Sequence, residues 1–311
     1  MSAPSSGGAS RDGYGAALLE LANDPRVVVL EADLGKSTKS CHFRAEHPER
    51  TVSLGIAEQN MVSVAAGLAS CGKVPFASTF AIFSERAFEQ VRNGVARPGL
   101  VAHLCGSHGG IHTGTDGSSA QSIEDLAIYR TIPGMTVMHP CDDLSAKALT
   151  MQLLNHKSPS YTRTARNKTP RMYDEDTIKE LKIGKASMLR EGVDIAIIAC
   201  GVMVHKAVTA ANNLSKEGIH AYVVDMHTIK PLDTELINKL VSTCKGIVTV
   251  EDHSIIGGLG SSISEYLSTT KPTKITMIGV EDRFGESGGS EELLELVGLT
   301  VERIEEACRV L

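Results

Sequence analysis

Residues 55–70 of the chain, GIAEQNMVSVAAGLAS, predict a helix over 57–70 that carries one carboxylate, Glu58, on its apolar face. At helical spacing, Glu58 shares that face with Met61 and Ala65. Burying a carboxylate without a partner is costly, and a desolvated carboxylate is suited to proton exchange with a heterocyclic nitrogen. The alternative is a partly solvated glutamate that the helix dipole favours in the first turn. The spacing alone leaves both interpretations open.

Short apolar runs alternate with helix-like segments along the rest of the chain, which is typical of an α/β fold. In the first half we predict strands at 27–30, 75–79, 100–105, 135–139 and 160–164, and helices at 11–22, 57–70, 85–94, 123–129 and 142–155. In the second half we predict strands at 194–199, 221–226, 247–251 and 274–279, and helices at 204–214, 234–240, 261–267 and 291–310. Each half should therefore form a mostly parallel sheet with helices on both faces.

A polar stretch that contains a proline separates the two halves and predicts the domain boundary. We expect a flexible tail at 1–10, a first domain at 11–170, a linker at 171–190 and a second domain at 191–311. The tail, MSAPSSGGAS, does not have the pattern of a secretory signal.

Composition excludes several classes of protein. The chain has 311 residues, 42% of them hydrophobic and 22% charged, which excludes disordered and collagen-like proteins. No apolar run reaches the ~18 residues of a membrane span, and the net charge of −6 without a long basic block argues against nucleic acid as a partner. Seven widely spaced cysteines without a C-x-x-C pair argue against disulfides and structural zinc. They indicate a reducing, cytoplasmic location.

Several further motifs accompany GIAEQNM. They are Ala32-Asp33-Leu34, Ser78-Thr79-Phe80, Ser107-His108-Gly109-Gly110, Asp116-Gly117, Arg163-Thr164-Ala165-Arg166 and Asp282-Arg283-Phe284-Gly285-Glu286-Ser287. In this order, from residue 11 to the end, the combination resembles the C-terminal half of transketolase. The chain is similar to the smaller subunit of a split transketolase. The resemblance implies a pyrimidine-binding domain followed by a transketolase C-terminal domain.

The resemblance also implies a thiamine diphosphate site. In the family, the glutamate that matches Glu58 hydrogen-bonds N1′ of the aminopyrimidine ring. Phe80 and Phe83 match the aromatic wall around that ring, and Asp33 matches a further cofactor-binding position. Many members have a third aromatic residue three positions after Phe83, where this chain has Arg86.

A substrate site is implied as well. His108 matches a histidine that contacts the hydroxyls of the donor, and Asp116 matches an acid that hydrogen-bonds a substrate hydroxyl. The phosphate-binding residues of the family match Arg11, Ser37 and Arg166.

Two positions leave alternatives open. Arg163 competes with Arg166 for the phosphate, because residues three apart in a strand point to opposite faces. Ala120 stands where transketolases commonly have a histidine that contacts the substrate. Either His112 or a residue of a partner takes that role, or the substrate differs from the usual sugar phosphates.

Part of the cofactor site has no match in this sequence. In the superfamily, a G-D-G motif and a downstream asparagine hold the diphosphate and its divalent metal, and Asp116-Gly117 lacks the leading glycine. The resemblance therefore implies that a large N-terminal subunit carries the diphosphate and Mg²⁺ ligands, in an α2β2 assembly. We expect no metal ligands on this chain.

The activity implied is transfer of a two-carbon ketol unit from a ketose phosphate to an aldose phosphate. A chain resembling 1-deoxyxylulose-phosphate synthase, or the β chain of a 2-oxoacid dehydrogenase, is an alternative, since both share the glutamate-bearing helix. A non-catalytic assembly subunit is an alternative of another class, against which the presence of Glu58 and His108 argues.

Overall fold

The structure, a computed structural model, describes residues 7–311 and has two sheets with helices on both faces. The strands are β1 (Val27–Glu31), β2 (Thr51–Ser53), β3 (Val74–Phe80), β4 (His103–Ser107), β5 (Thr136–Met138), β6 (Ser160–Thr164), β7 (Ser187–Arg190), β8 (Ile195–Ala199), β9 (Ala221–Asp225), β10 (Thr228–Lys230), β11 (Ile247–Ser254) and β12 (Ile275–Val280). The helices are α1 (Ser10–Leu21), α2 (Gly35–Thr38), α3 (Cys41–Glu46), α4 (Glu58–Ser70), α5 (Ala81–Ser84), α6 (Asp125–Arg130), α7 (Asp143–Gln152), α8 (Val204–Lys216), α9 (Thr234–Thr243), α10 (Leu259–Thr270), α11 (Ser290–Leu296) and α12 (Val301–Arg309). No helix within residues 7–311 is both long and apolar enough to cross a membrane.

The first sheet has the order β10-β5-β6-β4-β3-β1-β2, and its strands are parallel except for β10. Strands β1, β4 and β6 are buried along their whole length, because helices cover both faces. The carboxyl ends of β1, β3, β4 and β6 meet at one edge of this sheet, which is where parallel α/β sheets place their ligand sites.

The second sheet has the order β12-β11-β8-β9-β7, and β7 alone is antiparallel to its neighbour. Its central strands are continuous apolar runs such as IAIIA in β8, which is buried throughout. The prediction of two α/β domains with mostly parallel sheets is therefore confirmed.

Four local expectations are corrected by the structure. Strand β7 lies inside the predicted linker 171–190, and β10 leaves the second half of the chain to pair with β5 of the first sheet. The predicted helix 291–310 is two helices, separated at Gly298, which has a φ of +76°. The segment 85–94 is a 3₁₀ turn followed by a π-helix rather than an α-helix.

A fifth correction concerns the predicted tail. Ala9 and Ser10 are buried, and the Ser10 hydroxyl accepts a hydrogen bond from the Ala165 backbone. Helix α1 therefore begins at Ser10, the last residue of the predicted tail. Residues 1–6, the rest of that tail, lie outside the described residues.

A buried arginine joins the two domains. The Arg163 guanidinium makes a two-pronged ion pair with Asp125, with Nε–Oδ2 and Nη2–Oδ1 distances of 3.0 and 2.6 Å. It also donates to the backbone carbonyls of Ser122 and of Asp252, the latter on β11 of the second sheet. The Asp252 carboxylate in turn accepts from the backbone N–H groups of Ile111 and His112. One side chain thus ties a strand of the first sheet to a strand of the second.

We predict that Arg163→Met lowers the free energy of unfolding by about 3–5 kcal/mol, because it leaves the Asp125 carboxylate buried without its counter-charge. Urea unfolding of the isolated chain measures this. Arg166→Met is the matched control, since Arg166 is half-buried and part of an exposed cluster, and it should change stability by about 1 kcal/mol or less. Equal stability of the two variants would contradict the assigned role of Arg163.

A second buried group makes stability depend on pH. Tyr173, in the predicted linker, donates its hydroxyl to Asp225 of β9 at 2.8 Å, and burial raises the pKa of Asp225 from 3.8 to about 7. The folded chain therefore binds this proton more tightly than the unfolded chain. Stability should fall as pH rises from about 4 to about 7, by at most about 1.4 kcal/mol per pH unit from this group.

We predict that Asp225→Asn makes the melting temperature decline less steeply between about pH 5 and pH 7.5. The slope should not vanish, because burial also raises the pKa of Glu251 to about 7 and of Glu85 to about 8. Thermal unfolding across this range is the measurement, with the exposed Asp176→Asn as control. An unchanged slope in Asp225→Asn would count against the buried proton.

Candidate functional site

Glu58 is the first residue of α4, and only 2% of its side chain is exposed. Among residues 7–311, no hydrogen bond to its carboxylate is present, and the nearest cation is Arg86, with Nη1 3.6 Å from Oε2. The position at a helix N-terminus favours the negative charge. Both interpretations from the sequence therefore hold in part: Glu58 lies in the first turn, and it is buried.

An aromatic wall stands at the end of β3 and β4. The ring of Phe80 stacks on His108, with centroids 4.0 Å apart, and Phe83 lies parallel to Phe80 at 5.6 Å. Phe83 is 36% exposed, which is unusual for a phenylalanine in a folded domain. The wall offers flat, stacked surfaces to an aromatic ring.

His108 is held in a special conformation. It follows β4 with a φ of +62°, and its Nδ1 lies 2.8 Å from the Ser107 hydroxyl. Arg11 Nη1 approaches Nε2 at 3.4 Å. Because a guanidinium only donates, Nε2 is the acceptor and Nδ1 carries the proton. Burial, reinforced by the charges of Arg11, Arg166 and Lys39, lowers the pKa of His108 to about 3, so the imidazole is neutral at physiological pH.

A cationic cluster surrounds His108. Arg11 donates to the backbone carbonyl of Ser37 at 3.1 Å, and Arg166 Nε lies 3.2 Å from the Asp116 carboxylate. Asp116 is also 4.0 Å from His108 Nε2. The structure thus brings together Arg11, Ser37, His108, Asp116 and Arg166, although they come from four separate segments of the chain. Two guanidinium groups with hydroxyl and imidazole neighbours suit an anionic, hydroxylated ligand.

The remaining sequence candidates lie elsewhere. Asp33 follows β1 at the same edge of the sheet, is exposed and has a φ of +61°. Arg163 is fully buried in the domain junction, so Arg166 is the arginine of this motif that faces the cluster. His112 is buried against the second domain, where its backbone N–H binds Asp252. Ala120 is buried in a short 3₁₀ turn.

Sequence reasoning missed the support under the Asp33 loop. Glu31, at the end of β1, is buried, accepts the backbone N–H of Gly35 at 2.6 Å and pairs with Arg44. This clamp shapes the turn that carries Asp33 and Ser37. A carboxylate that ends an apolar strand is a sequence signal for such a clamp, by the same reasoning that singled out Glu58.

The first backbone N–H groups of α10 are occupied from within the chain, by the Glu251 carboxylate. The buried Glu251 carboxylate accepts hydrogen bonds from the backbone N–H groups of Leu259 and Gly260, at 2.7 and 2.8 Å. Within residues 7–311, no group of three or more histidine, cysteine or acidic side chains could hold a metal ion.

Comparison with known proteins identifies the family. Residues 8–172 match the family described as "Transketolase, pyrimidine binding domain", and residues 184–304 match "Transketolase, C-terminal domain". The chain is 42% identical to the 6-deoxy-6-sulfo-D-fructose transketolase subunit SqwH of Clostridium sp. (strain MSTE9), over 94% of this chain and 91% of that subunit. It is 38% identical to human transketolase over 97% of this chain, and it spans 48% of that protein's length.

A solved structure is also similar to this chain over nearly its whole length. It is named "Split gene transketolase, inactive beta4 tetramer", and it superimposes with a TM-score of 0.91 at 43% identity, covering 98% of each chain. The chain therefore belongs to the transketolase family, and it corresponds to the C-terminal section that a split transketolase carries on its smaller subunit.

Proposed function

We propose that this chain is the catalytic small subunit of a thiamine-diphosphate-dependent split transketolase, which moves a two-carbon ketol unit from a ketose phosphate to an aldose phosphate. The observation that carries the proposal is the juxtaposition at one sheet edge of a buried carboxylate, Glu58, an aromatic wall and a cationic cluster. We propose that it acts in the cytoplasm, a location that the seven free cysteines support.

The residues present suit the aminopyrimidine ring of the coenzyme. The Glu58 carboxylate is desolvated and has no hydrogen-bond partner among residues 7–311, so a ring nitrogen can take that position. Phe80 and Phe83 would flank the ring, and Asp33 would border it. When bound, thiamine diphosphate supplies the nucleophilic carbon that accepts the two-carbon unit.

The side chains of this chain would bind and orient the coenzyme ring and the sugar phosphate. Glu58 would hold or release a proton at N1′ of the ring, from a position that the start of α4 fixes. Neutral His108 and the carboxylate of Asp116 would hydrogen-bond the hydroxyls of the sugar. Arg11, Ser37 and Arg166 would hold its phosphate, because guanidinium forks match phosphate oxygens.

The partner would be a large transketolase N-terminal subunit that carries the diphosphate and Mg²⁺ ligands, in an α2β2 assembly. Ile56, two residues before Glu58, is 75% exposed, and Phe83 is 36% exposed, which leaves apolar surface beside the buried carboxylate. The similar split-gene structure is described as an inactive beta4 tetramer, which supports dependence on a second type of subunit.

We predict that this chain alone has no transketolase activity and that mixing it with a transketolase N-terminal section from the same genome restores it. The assay follows release of an aldose from a ketose phosphate in the presence of thiamine diphosphate and Mg²⁺. Full turnover by this chain alone would overturn the division of the site. Release of CO₂ from pyruvate would instead favour a 1-deoxyxylulose-phosphate-synthase-like or 2-oxoacid-dehydrogenase-like activity.

We predict that Glu58→Gln lowers turnover of the reconstituted pair about 10²- to 10⁴-fold, because an amide cannot exchange a proton with the ring nitrogen in this way. Steady-state kinetics and thermal unfolding are measured together. Glu46→Gln, on the exposed end of α3, is the matched control and should retain full turnover. Unchanged turnover of Glu58→Gln would leave the non-catalytic assembly subunit as the better interpretation.

A further inference from the structure

Arg86 stands at the mouth of the recess that holds Glu58. It lies on the 3₁₀ turn Glu85–Ala87, directly after the aromatic wall. Its side chain is 63% exposed, yet its guanidinium reaches to 3.6 Å from the buried carboxylate. The backbone of the turn is fixed to the glutamate segment, because the Gln59 side chain donates to the Arg86 carbonyl at 3.0 Å.

The contact has the geometry of a counter-charge rather than of a fixed hydrogen bond. The Nη1–Oε2 distance of 3.6 Å is beyond hydrogen-bond range but within ion-pair range. By contrast, Arg163 makes two hydrogen bonds to the Asp125 carboxylate. The outer part of the Arg86 side chain is in solvent, so it can turn away without any change of backbone.

The ring and the guanidinium compete for the same carboxylate. A buried carboxylate without a partner is costly, and in the free subunit Arg86 supplies the opposite charge. The proposed function requires that carboxyl group to form a hydrogen bond with the ring nitrogen N1′ through one shared proton. Entry of the ring therefore has to replace an ion pair, which opposes binding.

We propose that Arg86 is a latch for the coenzyme ring: it neutralises Glu58 in the coenzyme-free subunit and moves off the carboxylate when the aminopyrimidine binds. This inference rests on the proposed function. Arg86 is then a positioning residue that sets the affinity for the coenzyme and its dependence on salt. It also explains how the subunit tolerates a buried acid before the coenzyme arrives.

The first test uses the isolated small subunit and no coenzyme. Thermal unfolding is measured for the unchanged chain, Arg86→Met, Glu58→Gln and the double variant. Arg86→Met should lower the melting temperature by about 1–3 °C, and it should have no such effect when Glu58 is already glutamine. Additive shifts would show that the two side chains do not interact, and would overturn the latch.

The second test measures coenzyme affinity directly. Thiamine diphosphate with Mg²⁺ is titrated calorimetrically into the mixed subunits, without substrate. Arg86→Met should bind it on the order of three- to tenfold more tightly than the unchanged chain at low salt. The ratio should approach one at about 0.5 M NaCl, because salt screens a partly exposed ion pair. Arg86→Lys, which keeps the charge, should restore the original affinity.

The matched control is Arg97→Met, an exposed arginine that follows the π-helix Gln90–Ala96, and it should leave the affinity unchanged. Equal or weaker binding by Arg86→Met overturns the latch while the proposed function stands. Binding to none of the mixtures means that the proposed function fails and the latch with it. The unfolding cycle still decides in that case whether the ion pair exists.

Discussion

The geometry of the site depends on one buried guanidinium, that of Arg163, which both domains share. Two of its five N–H groups pair with Asp125, and two of the remaining three donate to the backbone carbonyls of Ser122 and Asp252. Because a buried charge is costly unless it is paired and hydrogen-bonded, the segments that carry Arg163, Asp125 and Asp252 have little freedom to move apart. The loop between β4 and the Asp116 turn is therefore fixed by the contact between domains, not by the first sheet alone.

The same contact between the domains explains why two glycines, Gly109 and Gly110, come after His108. A Cβ at Gly109 would lie 2.2 Å from Arg163 Nε, and one at Gly110 would lie 2.2 Å from the Asp252 carboxylate. Gly110 also has a φ of +81°, a conformation that side chains disfavour. In the motif His-Gly-Gly, the histidine faces the cationic cluster. The two glycines allow the side chains of Arg163 and Asp252 to approach the backbone closely. Close packing at the domain junction is therefore a physical reason for the two glycines, independent of any resemblance to a family.

The sequence predicts the strands and helices that depend on local apolar patterns. It does not predict the strands and side-chain pairs that form only through contact with distant parts of the chain. Periodic apolar runs predict both sheets. Arg163 lies in β6 and is buried, whereas Arg166 follows the end of that strand at Thr164, so alternation along a strand is not what separates the two arginines. The three-residue strand β10 carries no local pattern, because it exists only through its pairing with β5. The polar strand β7 was assigned to a linker for the same reason. The pairing of Glu58 with Arg86 joins residues far apart in sequence, and no spacing rule predicts it.

The division of the site between what this chain holds rigidly and what it leaves open has a physical logic. The parts that need fixed geometry, Glu58 and His108, are set by a helix start and a strand end within one chain. Two exposed residues of this region, Ile56 and Phe83, are apolar, so covering them is favourable and needs few matched hydrogen bonds. In the proposed assembly, a second subunit would cover these two side chains by apolar contact and would hold the diphosphate with its own residues. A fully polar edge would instead demand that every donor and acceptor be matched across the boundary, so apolar side chains beside a preformed acid would make the proposed shared site less demanding to assemble, with Arg86 as the charged group at its mouth.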